Sequence, residues 1–186
     1  MKYVSIDIET TGLNPEKHQT LEIAAIIEDT TSLLGFEEIP KFRVLLYHEE
    51  IFGSLEAVNM NSKLLLEMSN ASLCMPSNTY SKFQDFLAEN EVATPVVVAG
   101  KNFQGFDKRF LEKIGWDVST FSRRVLDPAI LFTDWKNDRD LPSLAECHIR
   151  AGLGKISNEH SALHDAYNVI MCIRYGTRIY KTWGKT

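Results

Sequence analysis

Apolar and polar residues alternate along KYVSIDIE, residues 2–9, and this period of two predicts a β-strand. TLEIAAIIE (20–28) and EIPKFRVLLY (38–47) give two further strands, with the turn-prone DTTSLLG between them, so the chain is expected to open as an antiparallel meander. A polar, helical stretch over about 54–70 precedes PSNTYSKFQDFLAEN. There Tyr80, Phe83 and Leu87 fall at helical spacing behind a Pro/Ser/Asn start. The unbroken apolar run VVVA (96–99) fits a strand covered on both faces and ended by Gly100.

Helical spacing resumes over about 104–114, with Phe103, Phe110, Leu111 and Ile114 on one stripe. RVLDPAILF reads as a fifth short strand followed by Asp127 as a helix cap, with Pro128 in the first helical position. LPSLAECHIRAGLG reads as a short helix stopped by Gly152, and a last helix is expected from near Ser161 to about Tyr175. The order β-β-β-α-β-α-β-α-α implies an α/β fold with a mixed five-stranded sheet flanked by helices. Without a repeat or linker-like tract, residues 1–186 are expected to form a single domain.

The charged residues change this picture, because four acids lie where an apolar side chain would be expected. Asp7 and Glu9 share one face of the first strand, while Ile6 and Ile8 take the other. Asp107 and Asp165 each sit on the apolar stripe of a helix, the latter beside Ala162, Val169 and Cys172. At ~4 Å and an effective dielectric of ~20, each like-charge pair costs on the order of 4 kcal/mol, so a converging set demands cations or protonation. An all-oxygen donor set suits Mg²⁺ or Mn²⁺ better than zinc.

Thr10, Thr11 and Gly12 then end the strand in a tight turn whose amides can face a ligand. His160 precedes the last helix and can reach a water to take its proton. His164, adjacent to Asp165, competes for that role but points about 100° away on a helix. His18, His48 and His148 have no acid partner and read as structural, as does Asp127.

The net charge of -5 divides unevenly: residues 1–93 hold 6 Lys/Arg against 15 Asp/Glu, and residues 94–186 hold 14 against 10. An acidic chain is a poor non-specific binder of nucleic acid, which favours transient engagement of a strand end through local basic residues and cations. Cys74, Cys147 and Cys172 lack metal-ligand spacing and read as reduced core thiols. MKYVSIDIE carries no apolar targeting stretch, and no run is long enough to span a membrane. A cytoplasmic location away from membranes is therefore expected.

Three motifs in order, IDIETTGL (6–13), NFQGFDKRFL (102–111) and HSALHDA (160–166), resemble those of the DEDDh 3′-5′ exonuclease family, the group of the proofreading epsilon subunit, RNase T and oligoribonuclease. The resemblance implies a ribonuclease H-like fold and two-metal hydrolysis of single-stranded DNA or RNA from the 3′ end, releasing 5′-mononucleotides. It also implies that Asp7, Glu9 and Asp165 bind one ion, that Asp7 bridges to a second held by Asp107, and that His160 is the general base. By the same resemblance Glu9 and backbone amides near Thr10 and Thr11 would engage the terminal 3′-hydroxyl and Leu13 would wedge against the last base; Asn102 is a candidate substrate-strand contact, and Phe106 can stack on a base as aromatic side chains do for single strands. Lys101 departs from the family pattern, in which His commonly precedes the Asn. The alternatives are a non-catalytic binding module on this fold, or a proofreading subunit docked on a polymerase. A homodimer is a further possible partnership.

Overall fold

A computed structural model describes residues 1–156 and 161–178. Its centre is a mixed sheet in the order β3-β2-β1-β4, built from β1 (Lys2–Thr10), β2 (Thr20–Asp29), β3 (Lys41–Leu45) and β4 (Val98–Ala99). β1 pairs antiparallel with β2, and β2 with β3, as the meander expectation requires. β4 lies parallel to β1 through Val4 and Ser5.

The helices are α1 (Leu55–Met60), α2 (Ser62–Met68), α3 (Pro76–Glu89), α4 (Asp107–Lys113), α5 (Ala129–Phe132), α6 (Leu144–Arg150) and α7 (Ala162–Gly176). The period of two on β1 separates two cores. Val4, Ile6 and Ile8 pack with Ile23, Ala25 and Ile27 under Phe83 of α3 and Phe110 and Leu111 of α4. Tyr3 on the opposite face joins Ile26 under Ala166, Val169, Ile170 and Ile173 of α7. Because helices cover both faces, β2 is buried over nearly its whole length and reads as a continuous apolar run.

The fifth expected strand is not a strand. Among the described residues the sheet has four, and the segment after α4 pairs with β4 and the residues just before it through isolated parallel bridges, Ala99 to Leu126 and Val96 to Phe121. Between those bridges Arg123 and Arg124 are exposed, and Ser122 Oγ accepts from the Arg124 amide in a local turn, so the chain leaves the sheet edge rather than extending it.

Two helical expectations also shift. The helix over 54–70 is broken into α1 and α2 at Asn61, whose buried side chain donates to the Thr10 and Ala57 carbonyls. The helix expected from residue 104 begins at Asp107. Before it lies a turn in which Asn102 takes a left-handed φ of 57° and its carbonyl accepts from the Gly105 and Phe106 amides. Asp127 secures that turn, accepting from the Asn102 and Ala129 amides at 2.9 Å each, a structural role like the one expected.

The short helix before the last motif is α6, closed by a Ser143–Glu146 capping box and followed by Gly152 at φ 80°. Cys147 and Cys172 are buried free thiols in one small cluster, and Cys74 is a half-buried free thiol. Among the described residues no helix is long and apolar enough to cross a membrane.

Candidate active site

Strand alternation turns Ser5, Asp7 and Glu9 toward α7, and α7 presents Asp165 in its first turn. One carboxylate oxygen from each of Asp7, Glu9 and Asp165 lies within 4.8 Å of the others, a spacing that fits a single cation. Among the described residues this is the only such group of acids, histidines or cysteines. Asp165 is held by its amide bond to the Ser161 carbonyl, and its Oδ1 accepts from Asn168 Nδ2 at 3.3 Å.

Asp107 stands beside Asp7 but outside that group of three. It is the first residue of α4, only 3% exposed, and its carboxyl accepts from its own amide and that of Ile8. β4 pairs with β1 only at Val4 and Ser5, so β1 beyond Ser5 has an unladdered edge on this side that the α4 acid can reach.

The electrostatics follow from crowding. Burial pushes Asp7 well above the usual carboxylate range, and Asp107, Asp165, Glu9 and Glu22 add to the shift. Glu9 is pushed up to about 8 by burial, then by Glu22 and Asp165, against a hydrogen bond from Asn61. Asp107 is raised to about 7 by burial, opposed by the two backbone amides. The charged neighbours that raise Asp7, namely Asp107, Asp165, Glu9 and Glu22, are all negative, an arrangement that divalent cations relieve.

A cleft of about 520 Å³ opens beside Glu9. Thr10, Leu13 and Phe106 line it, with Leu13 81% exposed at its rim. Thr11 and Asn102 are not among its lining residues. The Thr11 amide donates to the Gln19 carbonyl at 2.9 Å, and Asn102 is exposed on the turn before α4. Gly12 is required by close approach, since a Cβ there would lie 2.5 Å from the His18 ring.

His164 is exposed and stacks on Phe36, with ring centroids 5.1 Å apart and planes 14° apart, on a surface shared with Tyr167. His160 lies outside the described residues. Lys101, the departure from the family pattern, is half-buried before the Asn102 turn.

Sequence reasoning missed three contributors. His18 and Asn61 line the cleft, and neither carries a local signal of that placement. Glu22 was legible in principle, being an acid inside the apolar run TLEIAAIIE. It is fully buried and pairs in register with Glu9.

The RNase_T family, described as Exonuclease, matches residues 4–172. Among solved structures, Escherichia coli Exonuclease I in complex with a dT13 oligonucleotide superposes with a TM-score of 0.67 at 17% identity, covering 97% of this chain and 43% of that one. The zinc-bound form of the E. coli ExoI–ssDNA complex gives the same TM-score at 15% identity, covering 97% and 42%. This chain thus spans less than half the length of those proteins, and the likeness establishes a shared ribonuclease H-like fold. No curated protein matches the chain. With the family match running over nearly its whole length, the chain belongs to the DEDDh 3′-5′ exonuclease family.

Proposed function

We propose that this protein is a metal-dependent exonuclease that removes 5′-mononucleotides from the 3′ end of single-stranded DNA or RNA. The observation that carries the reading is the convergence of Asp7, Glu9 and Asp165 within 4.8 Å, in a setting where burial and the neighbouring carboxylates raise the proton affinity of Asp7 and Glu9. The all-oxygen donor set fits Mg²⁺ or Mn²⁺. Asp7, Glu9 and Asp165 would hold one ion and Asp7 with Asp107 a second. When bound, the ions supply charge stabilisation to the attacking and leaving oxygens of an in-line displacement.

The chain's own residues do the rest. His160 takes a proton from the attacking water as the new P–O bond forms. The bond from phosphorus to the 3′ oxygen of the penultimate nucleotide breaks, and that oxygen leaves with a proton from solvent. No covalent intermediate with the protein is needed. Leu13 and Phe106 supply apolar contact for the terminal base at the cleft beside Glu9, whose carboxylate would meet the terminal sugar. The oligonucleotide held in the structurally similar Exonuclease I complex supports a single-stranded substrate.

The test uses DNA and RNA oligomers labelled at either end. With Mg²⁺ or Mn²⁺, 5′-labelled strands are expected to shorten one nucleotide at a time, and 3′-labelled strands to release labelled mononucleotide at once. EDTA should stop both. Intact strands bound without loss of length would instead mark a binding module.

A further inference from the structure

Glu22 is as buried as any acid in the molecule, faces Glu9 across the β1–β2 ladder, and yet is not one of the three clustered carboxylates. Both of its oxygens are already engaged. Oε1 pairs with Arg43 Nε at 2.5 Å, and Oε2 accepts from the Ala162 backbone amide at 3.3 Å. Ala162 is the first residue of α7, and the Ser161 cap before it makes no side-chain capping bond. A carboxylate 140 residues away in sequence therefore does what a local cap ordinarily does, with the negative charge at the end of the helix where the macrodipole favours it.

The other end of α7 is tied to the same strand. Arg174 donates to both oxygens of Glu28, at 2.7 and 2.5 Å, and to the Leu34 carbonyl at 2.9 Å. From Glu22 to Glu28 the strand advances about 20 Å, at roughly 3.3 Å per residue. From Ala162 to Arg174 the helix advances about 18 Å, at 1.5 Å per residue. The two ties therefore match in length and hold α7 to β2 in one axial register. In that register Asp165, less than one turn beyond Ala162, comes level with Asp7 and Glu9. Arg43 meanwhile pairs with the Oε1 of Glu22, and is itself held by both oxygens of Glu67 on α2 at 2.6 and 2.8 Å.

We infer that Glu22 is a positioning residue of this site: by capping α7 from the neighbouring strand it sets the register that delivers Asp165 to Asp7 and Glu9, while Arg43 holds its other oxygen. The inference deepens the exonuclease reading and rests on it for its kinetic consequence.

Two conservative variants separate reach from charge. Glu22→Gln keeps the length and an acceptor for the Ala162 amide but loses the charge. Glu22→Asp keeps the charge but withdraws the oxygens by one methylene. Amide hydrogen exchange is read at Ala162 and across the second half of α7, alongside kcat and KM on a 5′-labelled oligomer and the melting temperature. Expected for Glu22→Asp is exchange at Ala162 at least about 10-fold faster with the Arg174 end unchanged. Its kcat should fall on the order of 100-fold, as ångström-scale misplacement does, with KM within about 3-fold. Glu22→Gln should keep Ala162 protected and stay within about 10-fold of wild-type kcat.

The reverse order, Asp tolerated and Gln not, would overturn the inference and make Glu22 a charge or ligand group. Ala162 exchange unchanged in both variants would overturn it as well. A wild-type protein without metal-dependent hydrolysis would sink the exonuclease reading, and Ala162 exchange would still decide whether Glu22 sets the helix.

Discussion

The two ends of α7 handle buried acid in opposite ways. At the C-terminal end Glu28 is fully buried, and Arg174 of the helix meets it with two nitrogens, so the charge is answered inside the chain. At the N-terminal end Asp165 is delivered into a group whose other members, Asp7 and Glu9, are acids too, and Asp107 and Glu22 add further negative charge around Asp7. The first arrangement locks a helix. The second raises proton affinity, holds an oxygen-only donor set in place, and is suited to a cation from outside. Burial of an acid thus carries no functional meaning by itself; what matters is whether the fold supplies the opposite charge.

The comparison breaks most sharply by substitution at the crowded end. Asp7→Ala or Asp165→Asn should lower the rate of metal-dependent degradation by at least ~1,000-fold, about 4 kcal/mol of transition-state stabilisation. The metal-free protein should at the same time melt no lower than wild type, because a repelling charge is gone. Rates within ~10-fold of wild type would remove these residues from the mechanism. At the paired end the expectation reverses. Arg174→Met leaves Glu28 buried without its guanidinium and should cost about 3–5 kcal/mol in chemical denaturation, while kcat of the folded protein falls less than in Glu22→Asp, because the Glu22 tie still holds the end of α7 that carries Asp165.

A smaller effect separates the two histidines of the last motif. His160→Ala should lower kcat by about 100-fold and remove one limb of its pH profile, as loss of a general base does. His164→Ala should stay within about 3-fold by the same reasoning, since that ring is occupied in stacking on Phe36. Equal losses, or the opposite order, would transfer the base role to His164.

Much of the fold was legible because one physical signal dominates it. Alternation on β1 set Asp7 and Glu9 on one face, and helical spacing put Asp165 on the stripe that packs against that face. The four acids could be picked out because each interrupts an apolar pattern. What was not legible depends on contacts distant in sequence. Helix spacing extended α4 back to residue 104, but the left-handed backbone at Asn102 and its bond to Asp127 make that stretch a turn and leave Asp107 at the helix start.

The RVLD segment has strand composition, yet its Arg124 and the preceding Arg123 are exposed beyond the sheet edge and only single bridges form. Asn61 breaks a helix in order to reach the Thr10 carbonyl, a partner 51 residues earlier. Glu22 was passed over because an apolar strand with one acid reads as a strand, and its partners, Arg43 and the Ala162 amide, come from different parts of the chain.

The most direct test of the central claim, that this site is a set of crowded acids built to receive cations, is the melting temperature at pH 5 and pH 8, in EDTA and in Mn²⁺. Glu9 and Asp107 hold protons up to about 8 and about 7 when folded. The folded state therefore binds more protons than the unfolded chain between the ordinary carboxylate range and those values, and stability is lost as pH rises through that interval. In EDTA the protein should melt several degrees lower at pH 8 than at pH 5, at about 2–4 °C per kcal/mol. Mn²⁺ should restore the difference at pH 8, do little at pH 5, and fail to do so in Asp165→Asn. Identical melting in EDTA and Mn²⁺ at pH 8 would contradict the account.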